Sequence, residues 1–537
     1  MPWRGGGVKG VFIRRGRDRA LQAPGRLVIL CGMKFVSMLL LTTVGVCVGA
    51  PAEVPTFTEH VAPVVFAKCA GCHRDGQVAP FSLLDYAQVK KRAKQITEVT
   101  GDRVMPPWHA DRGAVDYAND RSLSDAEIAL IRRWVEAGTP EGDVAKLPAL
   151  PKFNPGWQLG KPDIVAEMPE AFTVPAEGRD IYRNFVMPLN LEEDTWVNAI
   201  EFKPGAPSAV HHVLYYLDLK GKARVADEAD PEPGYNGMGR SNGNFRYLGG
   251  WDVGTQTAPV PYGLAWFLPK GADLVIQVHY HPNGKAVQDR SAVGFHVSKV
   301  PTSRPWTIVP VPPFFGIMSG INIPAGEKNY VKQSSMVLPV DVEAIAVNAH
   351  AHFLGKQMEM TATLPSGEKK LLLKMSDWDF AWQEDYAFKE PVKLPAGTRL
   401  DARISWDNSD TNPRQTLHPP KDIHWGPTST DEMGTITLTV MLNTVEEKKS
   451  LHSELKRRLT AQFIERIFEN DNSTLGAVRS QISQEVKVPN GGGFAMMRVF
   501  VLPLDKNKDG VLDEEELKPG VDFMLPNMRG FGEIGFD

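Results

Sequence analysis

Ala346-Val347-Asn348-Ala349-His350-Ala351-His352-Phe353-Leu354-Gly355 carries two histidines one residue apart in a run of strand-forming side chains. Side chains alternate along a strand, so both imidazoles fall on one face and form a ready pair. Such a pair is either two core histidines satisfied by their neighbours or two ligands of a metal ion. The rest of the chain bears on the choice. Ala209-Val210-His211-His212-Val213-Leu214-Tyr215-Tyr216 and Val275-Ile276-Gln277-Val278-His279-Tyr280-His281-Pro282 also end or interrupt apolar runs with histidine, and Asp431-Glu432-Met433-Gly434 follows the pair. Imidazoles and a thioether on separate strands have the character of metal ligands.

At 537 residues the chain exceeds what one core supports, so several domains are expected. Ordinary apolar content and a net charge of −4, without a basic patch, argue against nucleic acid as a partner. The long apolar run Phe35 to Ala50 follows Met33-Lys34 and ends in Val48-Gly49-Ala50. It reads as an export signal starting at Met33 and cut after Ala50, with a retained anchor as the alternative. The expected location is therefore outside the cytoplasm, in the bacterial periplasm, with no membrane span after cleavage. Of four cysteines, Cys31 and Cys47 fall in that segment, leaving Cys69 and Cys72. These cannot make a disulfide framework, so packing and bound metals must hold the domains.

Cys69-Ala70-Gly71-Cys72-His73 follows a helical pattern that opens at Thr56. In an exported protein this motif reads as covalent c-type haem attachment, with His73 as proximal iron ligand. The rival, a thioredoxin-like redox pair, lacks its βαβ pattern. Arg103-Val104-Met105-Pro106-Pro107-Trp108 offers Met105 as sixth ligand, with His109 competing. A helix from Ser124 to Gly138 is predicted to close the pocket with Ile128, Ile131 and Trp134. Residues 51–145 resemble the small single-haem cytochromes c.

A proline-rich stretch within 146–162 marks a boundary. From Asp163 to Asn443 short strands rich in Val, Ile, Phe, Tyr and Trp alternate with Pro-Gly turn signals, which predicts two β-sandwiches, 163–303 and 304–444. A Gly-rich loop, Gly234 to Gly254, interrupts the first. Residues 445–537 turn helical and contain a full twelve-residue EF-hand loop: Asp505, Asn507, Asp509, the Val511 carbonyl, Asp513 and Glu516 as calcium ligands, with Gly510 at the turn. A solvated acidic turn is the plainer alternative.

The histidines sort into two sets. His211, His212 and His279 belong to the first sandwich, and His350 and His352 to the second, with Met433 near its last strands. Adjacent histidines on a regular strand face opposite sides, so His211 and His212 can share a metal only at a strand end or bulge. His281 reads as an outer partner, because His279 lies deeper in its apolar run. Two imidazoles with a thioether form a soft set that favours Cu(I) over zinc. No carboxylate recurs beside these histidines, which disfavours zinc hydrolysis.

The order His-His, Gln-Val-His-Tyr, His-x-His, Asp-Glu-Met resembles the copper type II, ascorbate-dependent monooxygenases, the family of dopamine β-monooxygenase and the peptidylglycine hydroxylating enzyme. It spans both sandwiches, somewhat over half the chain. The resemblance implies two jelly-roll-like all-β domains facing across a cleft; together with the small all-α cytochrome c domain and the short α-helical tail with an EF-hand loop read above, they make the expected multidomain chain. It implies an electron-transferring copper on His211, His212 and His279, and a dioxygen-activating copper on His350, His352 and Met433, the catalytic set. The reaction implied is oxygen insertion from O2 into an aliphatic C–H bond of a small organic substrate. Where peptide-amidating members hold a substrate carboxylate, this chain has Asn348, Thr435 and Thr437, so a peptide carboxylate is disfavoured. The haem domain is an addition to the family's plan. It is expected to feed electrons to His211, His212 and His279 in place of, or alongside, ascorbate, drawing on an external donor. A non-catalytic haem and copper electron-transfer protein is the alternative from another class, and a zinc hydrolase a third.

Overall fold

The structure, a computed structural model, describes residues 54–75, 77, 79–154, 156–236, 245–481 and 491–527. The expected export signal, with Met33, Cys31 and Cys47, lies outside them. The described chain is multidomain, with helical regions at both ends and antiparallel sheets between. Among the described residues no helix is long and apolar enough to cross a membrane.

Helices Ala62–Lys68, Tyr86–Lys91, Ala93–Gly101 and Asp125–Glu136 surround a core of Phe57, Val61, Leu83, Val89, Ile131 and Trp134. The last helix starts where Ser124 and Glu127 close a reciprocal capping box, satisfying two otherwise unpaired backbone donors. It ends just before Gly138, whose φ of 83° is cheap only without a Cβ. Burying Ile131 or Trp134 contributes about 1.5–3 kcal/mol each, enough to fix a helix of this length on its core.

In the first β unit, a five-stranded antiparallel sheet orders Tyr235–Asn236, Ile181–Pro188, Asp273–Tyr280, Val210–Asp218 and Phe245–Asp252. A four-stranded sheet built on Thr195–Lys203 and Ala292–Val297 packs against it. Part of the predicted Gly-rich loop is thus strand: Phe245–Asp252 pairs with Val210–Asp218, and Phe245, Leu248 and Trp251 are buried. Residues 237–244 of that loop lie outside the described residues.

Strand Asp273–Tyr280 is buried along its whole length. Leu274, Ile276, Val278 and Tyr280 enter the core between the sheets, while Val275 joins a small cluster on the opposite face. Period-two alternation therefore puts His279 on the outer face of the sheet, away from the inter-sheet core. The same parity puts His212 there, since Val213, Tyr215 and Leu217 point inward.

The second β unit repeats the plan. One sheet orders Trp306–Val311, Gly434–Met441, Val342–Ala351 and Asp385–Leu394, and the other Tyr330–Val337, Arg399–Trp406, Gly355–Thr363 and Lys369–Met375. Val347, Ala349 and Ala351 face the core, leaving Asn348 and His350 on the outer face. The two units meet through Leu264 against Ile345 and Met441, and through Trp266 against Trp306 at 5.3 Å between centroids. Helix Val445–Glu469, opened by a Thr444–Glu447 capping box, and helix Glu514–Met524 share the second unit's core through Leu455, Leu459 and Leu517.

The N-terminal unit is not a separate bead on a spacer. Trp108, Ala110 and Tyr117 are built into the core of the second β unit. Asp111 N donates to Lys374 O at 2.7 Å, Tyr117 Oη to Leu372 O at 2.8 Å and Ala118 N to Ala387 O at 2.7 Å. Lys369–Met375 and Asp385–Leu394 are the edge strands of their sheets, so this arm covers two otherwise open edges.

Candidate metal centre

Three histidines of the first β unit form a group that could hold a metal ion: His211, His212 and His279. The register between strands slips from Val210↔Tyr280 to His212↔His279, so His211 is the extra residue of a bulge. The bulge turns neighbouring imidazoles to one side, as their sequence adjacency requires for a shared ion. Nδ1 of His212 lies 3.2 Å from Nδ1 of His211 and 3.3 Å from Nδ1 of His279, so the three nitrogens converge. Burial, followed by the neighbouring His279, pulls the His211 imidazole down to about 4. His212 is lowered further in the same direction by burial and then by His279. Both are therefore neutral near pH 7, the form that donates a lone pair to a metal.

His279 is held by groups that sequence reading did not single out. Tyr182 stacks on its ring at 4.3 Å and 9°. Asp180 Oδ2 lies 2.9 Å from His279 Nε2, and Asp180 Oδ1 2.8 Å from His281 Nδ1. A carboxylate on the far nitrogen of a ligating imidazole orients the ring and raises its basicity. Burial works against the Asp180 carboxylate, yet its bonds to His279, His281 and Ser429 outweigh that and hold it below the usual range. The expectation that no carboxylate stands beside these histidines is thus corrected. Asp180 precedes strand Ile181–Pro188, about a hundred residues from His279, so no local pattern announces it. His281, its side chain 64% exposed, is an outer partner.

His350 and His352 lie together, ring centroids 5.3 Å apart and nearly perpendicular. Gln383 Oε1 is 2.6 Å from His350 Nδ1, and Asp431 O is 3.0 Å from His352 Nδ1. Both Nδ1 atoms being taken, the Nε2 atoms are left for a ligand. Burial, then His350, lowers His352 to about 3, and burial lowers His350. Ala351 pairs with Gly434, so His352 and Met433 sit one step beyond the ends of these two strands, with Met433 buried in the second unit's apolar core. Glu432 fixes this corner. Its carboxylate, fully buried, accepts from His352 N at 3.0 Å, Leu354 N at 2.7 Å and Trp406 Nε1 at 2.9 Å.

The two histidine sets face each other across the seam between the β units. Phe380, 3% exposed, lies between them: its centroid is 5.5 Å from His211, 5.5 Å from His352 and 6.4 Å from His350. Ser429 Oγ of the second unit also donates to Asp180 Oδ2 of the first at 3.0 Å.

Cys69 and Cys72 are free thiols, half-buried, and burial pushes Cys69 up to about 12. His73 Nδ1 lies 3.2 Å from Phe81 O, which orients the ring and leaves Nε2 open. Two thiols at this spacing and a histidine with one free nitrogen suit covalent haem. Met105 stands half-buried in the turn after helix Ala93–Gly101, its N–H on Val99 O at 3.1 Å. His109, the competing ligand, has its charged neighbours Asp379, Asp377 and Arg414 in the second β unit.

In the C-terminal loop, Glu516 Oε1 accepts from Lys506 N at 2.8 Å and from Asn507 N at 3.2 Å, and Asp505 Oδ2 accepts from Gly510 N at 3.1 Å. Asn507 Nδ2 donates to Asp509 Oδ2 at 2.9 Å, Val511 N donates to Asp509 Oδ1 at 2.9 Å, and Asp513 Oδ1 caps Glu516 N at 2.9 Å. Asp505 Oδ1 is buried without a hydrogen-bond partner, an uncompensated acceptor that a cation would satisfy.

No protein-family model and no curated protein matches the chain. Among solved structures, PNGF-II aligns at 9% identity and a TM-score of 0.22 over 52% of this chain and 65% of that one. The VP2 subviral particle of infectious bursal disease virus aligns at 9% and 0.17, over 54% of this chain and 72% of that one. An α-L-fucosidase described as putative, from Bacteroides ovatus, aligns at 7% and 0.14, over 57% and 44%. These scores are too low to mean a shared fold.

Proposed function

We propose that this chain is an exported copper-dependent monooxygenase with a built-in c-type haem domain and a calcium-binding EF-hand. In this reading the β units are the two jelly-roll-like domains of the copper type II family. One observation carries the reading: a three-imidazole cluster and an imidazole pair, each on the outer face of its own sheet, look at one another across a seam, with Met433 next to the pair in register and packed in the second unit's apolar core. Bound copper would supply one-electron redox chemistry and dioxygen activation, with the softer His350, His352 and Met433 set favouring Cu(I).

The overall conversion takes a C–H bond, O2, two electrons and two protons to C–OH and water. Within it the chain's residues keep the imidazoles neutral, orient His279 through Asp180 and His350 through Gln383, and exclude water with Phe380. Asn348 Nδ2 is spent on Glu384 O at 2.9 Å and Thr435 Oγ1 on Pro312 O at 2.8 Å. Thr435 has its one hydroxyl proton committed and Asn348 is neutral, so no cation stands at these two positions to take a substrate carboxylate, which supports a small substrate other than a peptide.

The test is metal and haem analysis of the purified mature protein, followed by oxygen uptake with ascorbate across a substrate panel. Two coppers and one haem per chain, with substrate-dependent uptake lost in Met433→Ala while the haem spectrum stays, is the expected result. Zinc in place of copper, or uptake indifferent to Met433, would sink the reading.

A further inference from the structure

Between strands Lys369–Met375 and Asp385–Leu394 runs a connection, residues 376–384, whose side chains are engaged to an unusual degree. Connections of this kind normally lie in water. Here Trp378 Nε1 donates to His352 O at 3.1 Å, and Gln383 Oε1 meets His350 Nδ1 at 2.6 Å. Phe380 is buried but belongs to none of the apolar cores; apart from Phe353, its ring neighbours are imidazoles of both sets. Glu384 pairs with Arg121 of the N-terminal unit, whose Nε donates to Pro107 O at 3.0 Å in the segment that follows Met105. Trp382 packs on Gly254, whose φ of +92° and lack of a Cβ allow the approach. The same connection therefore touches both histidine sets and the unit that carries the Cys-x-x-Cys-His motif.

We propose that residues 376–384 form the electron bridge of the molecule. Arg121, Glu384 and Gln383 join the Cys-x-x-Cys-His unit to His350, and the Phe380 ring joins the His350–His352 pair to the His211, His212 and His279 cluster. The inference rests on the copper and haem reading above and amends its expected route, since the N-terminal unit meets the His350 side by side-chain contacts. With haem and copper bound, the step these residues would serve is a bare one-electron exchange, in which the electron given up by Fe(II) would take Cu(II) to Cu(I), and no bond or proton would move. Glu384, Gln383 and Phe380 are positioning residues in this account.

The experiment uses the mature protein with haem and copper contents measured first. The haem is reduced without oxygen by one equivalent of reductant in copper-loaded protein, its reoxidation is followed by absorbance, and the Cu(II) signals by freeze-quenched electron paramagnetic resonance. Glu384→Gln is expected to slow haem reoxidation by about tenfold, the equivalent of ~1.4 kcal/mol in the barrier. Phe380→Leu, which keeps an apolar filler without the ring, is expected to slow exchange between the two copper signals by a similar factor. Resting haem spectrum, haem potential and copper content should stay as in the parent. Gln256→Ala removes the 3.8 Å contact from Gln256 Nε2 to Cys72 Sγ, which reaches the first β unit four residues from Asp252, the cross-strand neighbour of His212, and should leave both rates unchanged. Unaltered rates in Glu384→Gln and Phe380→Leu, or an equal loss in Gln256→Ala, would overturn the bridge and leave the monooxygenase reading standing. Protein that binds no haem or no copper would overturn both.

Discussion

Phe380 stacks on His211 at 5.5 Å and 27° although the two residues belong to different β units. An aromatic ring spent on an imidazole of the neighbouring unit ties the geometry of one histidine set to that of the other. Phe380→Ala should open a void at the seam and cost about 3–5 kcal/mol of stability, as large-to-small changes of a buried phenylalanine do. Urea unfolding followed by tryptophan fluorescence would measure it, and a loss under about 1 kcal/mol would mean that the seam collapses around the gap.

Glu432 receives four N–H groups, three from the backbone and one from an indole, while flanking Met433. Glu432→Ala strands those donors in a dry site, at about 1–3 kcal/mol for each left unpaired. Copper affinity at the His350–His352 pair should fall by about 10–100-fold, the usual effect of losing an orienting partner. Binding at His211, His212 and His279 should hold. Copper titration with resolved spin-resonance signals separates the two, and equal weakening of both sets would contradict the role.

Asp252 pairs with His212 across neighbouring strands and is half-buried at the seam. Burial, then the neighbouring Asp385 carboxylate, pushes its carboxyl up to about 8. A carboxyl raised in the folded state binds its proton more tightly folded than unfolded, so stability falls as pH rises from the ordinary carboxylate range through about 8. Unfolding compared at about pH 5 and about pH 9 should show that loss, and Asp252→Asn should flatten it. A slope unchanged by the substitution would assign the effect to other groups.

Calcium should stabilise the helical tail through the unpaired Asp505 Oδ1. At about one hundred times its dissociation constant it is expected to add about 2.7 kcal/mol. Calorimetry with calcium and with chelator should show the difference in the parent chain and none in Glu516→Gln.

Much of the histidine geometry could be read along the chain because it is local. One residue between His350 and His352 places both on one face, and two adjacent histidines demand the bulge found at His211. Leu274, Ile276, Val278 and Tyr280 are apolar at period two, which leaves His279 on the outer face. Asp180, Phe380, Gln383 and Glu384 were invisible for the opposite reason. Each reaches a histidine or an arginine from a distant segment, and a lone acid or phenylalanine in a loop has no periodic signature. Glu432 stood in plain view beside Met433, but its work depends on donors at His352, Leu354 and Trp406 that only folding brings to it. Trp108 likewise reads as part of the stretch that offers Met105, and Tyr117 carries no signal in the sequence, since their partners Tyr386 and Leu372 lie more than two hundred residues on.

The seating of Trp108, Ala110 and Tyr117 inside the distant β unit governs how the chain can be divided. A cut at the proline-rich stretch would not liberate a self-sufficient N-terminal fragment, and the remainder would be left with an unplugged interior and two bare strand edges. Production of either half alone should give sticky, poorly soluble material, whereas the halves made together should find one another again.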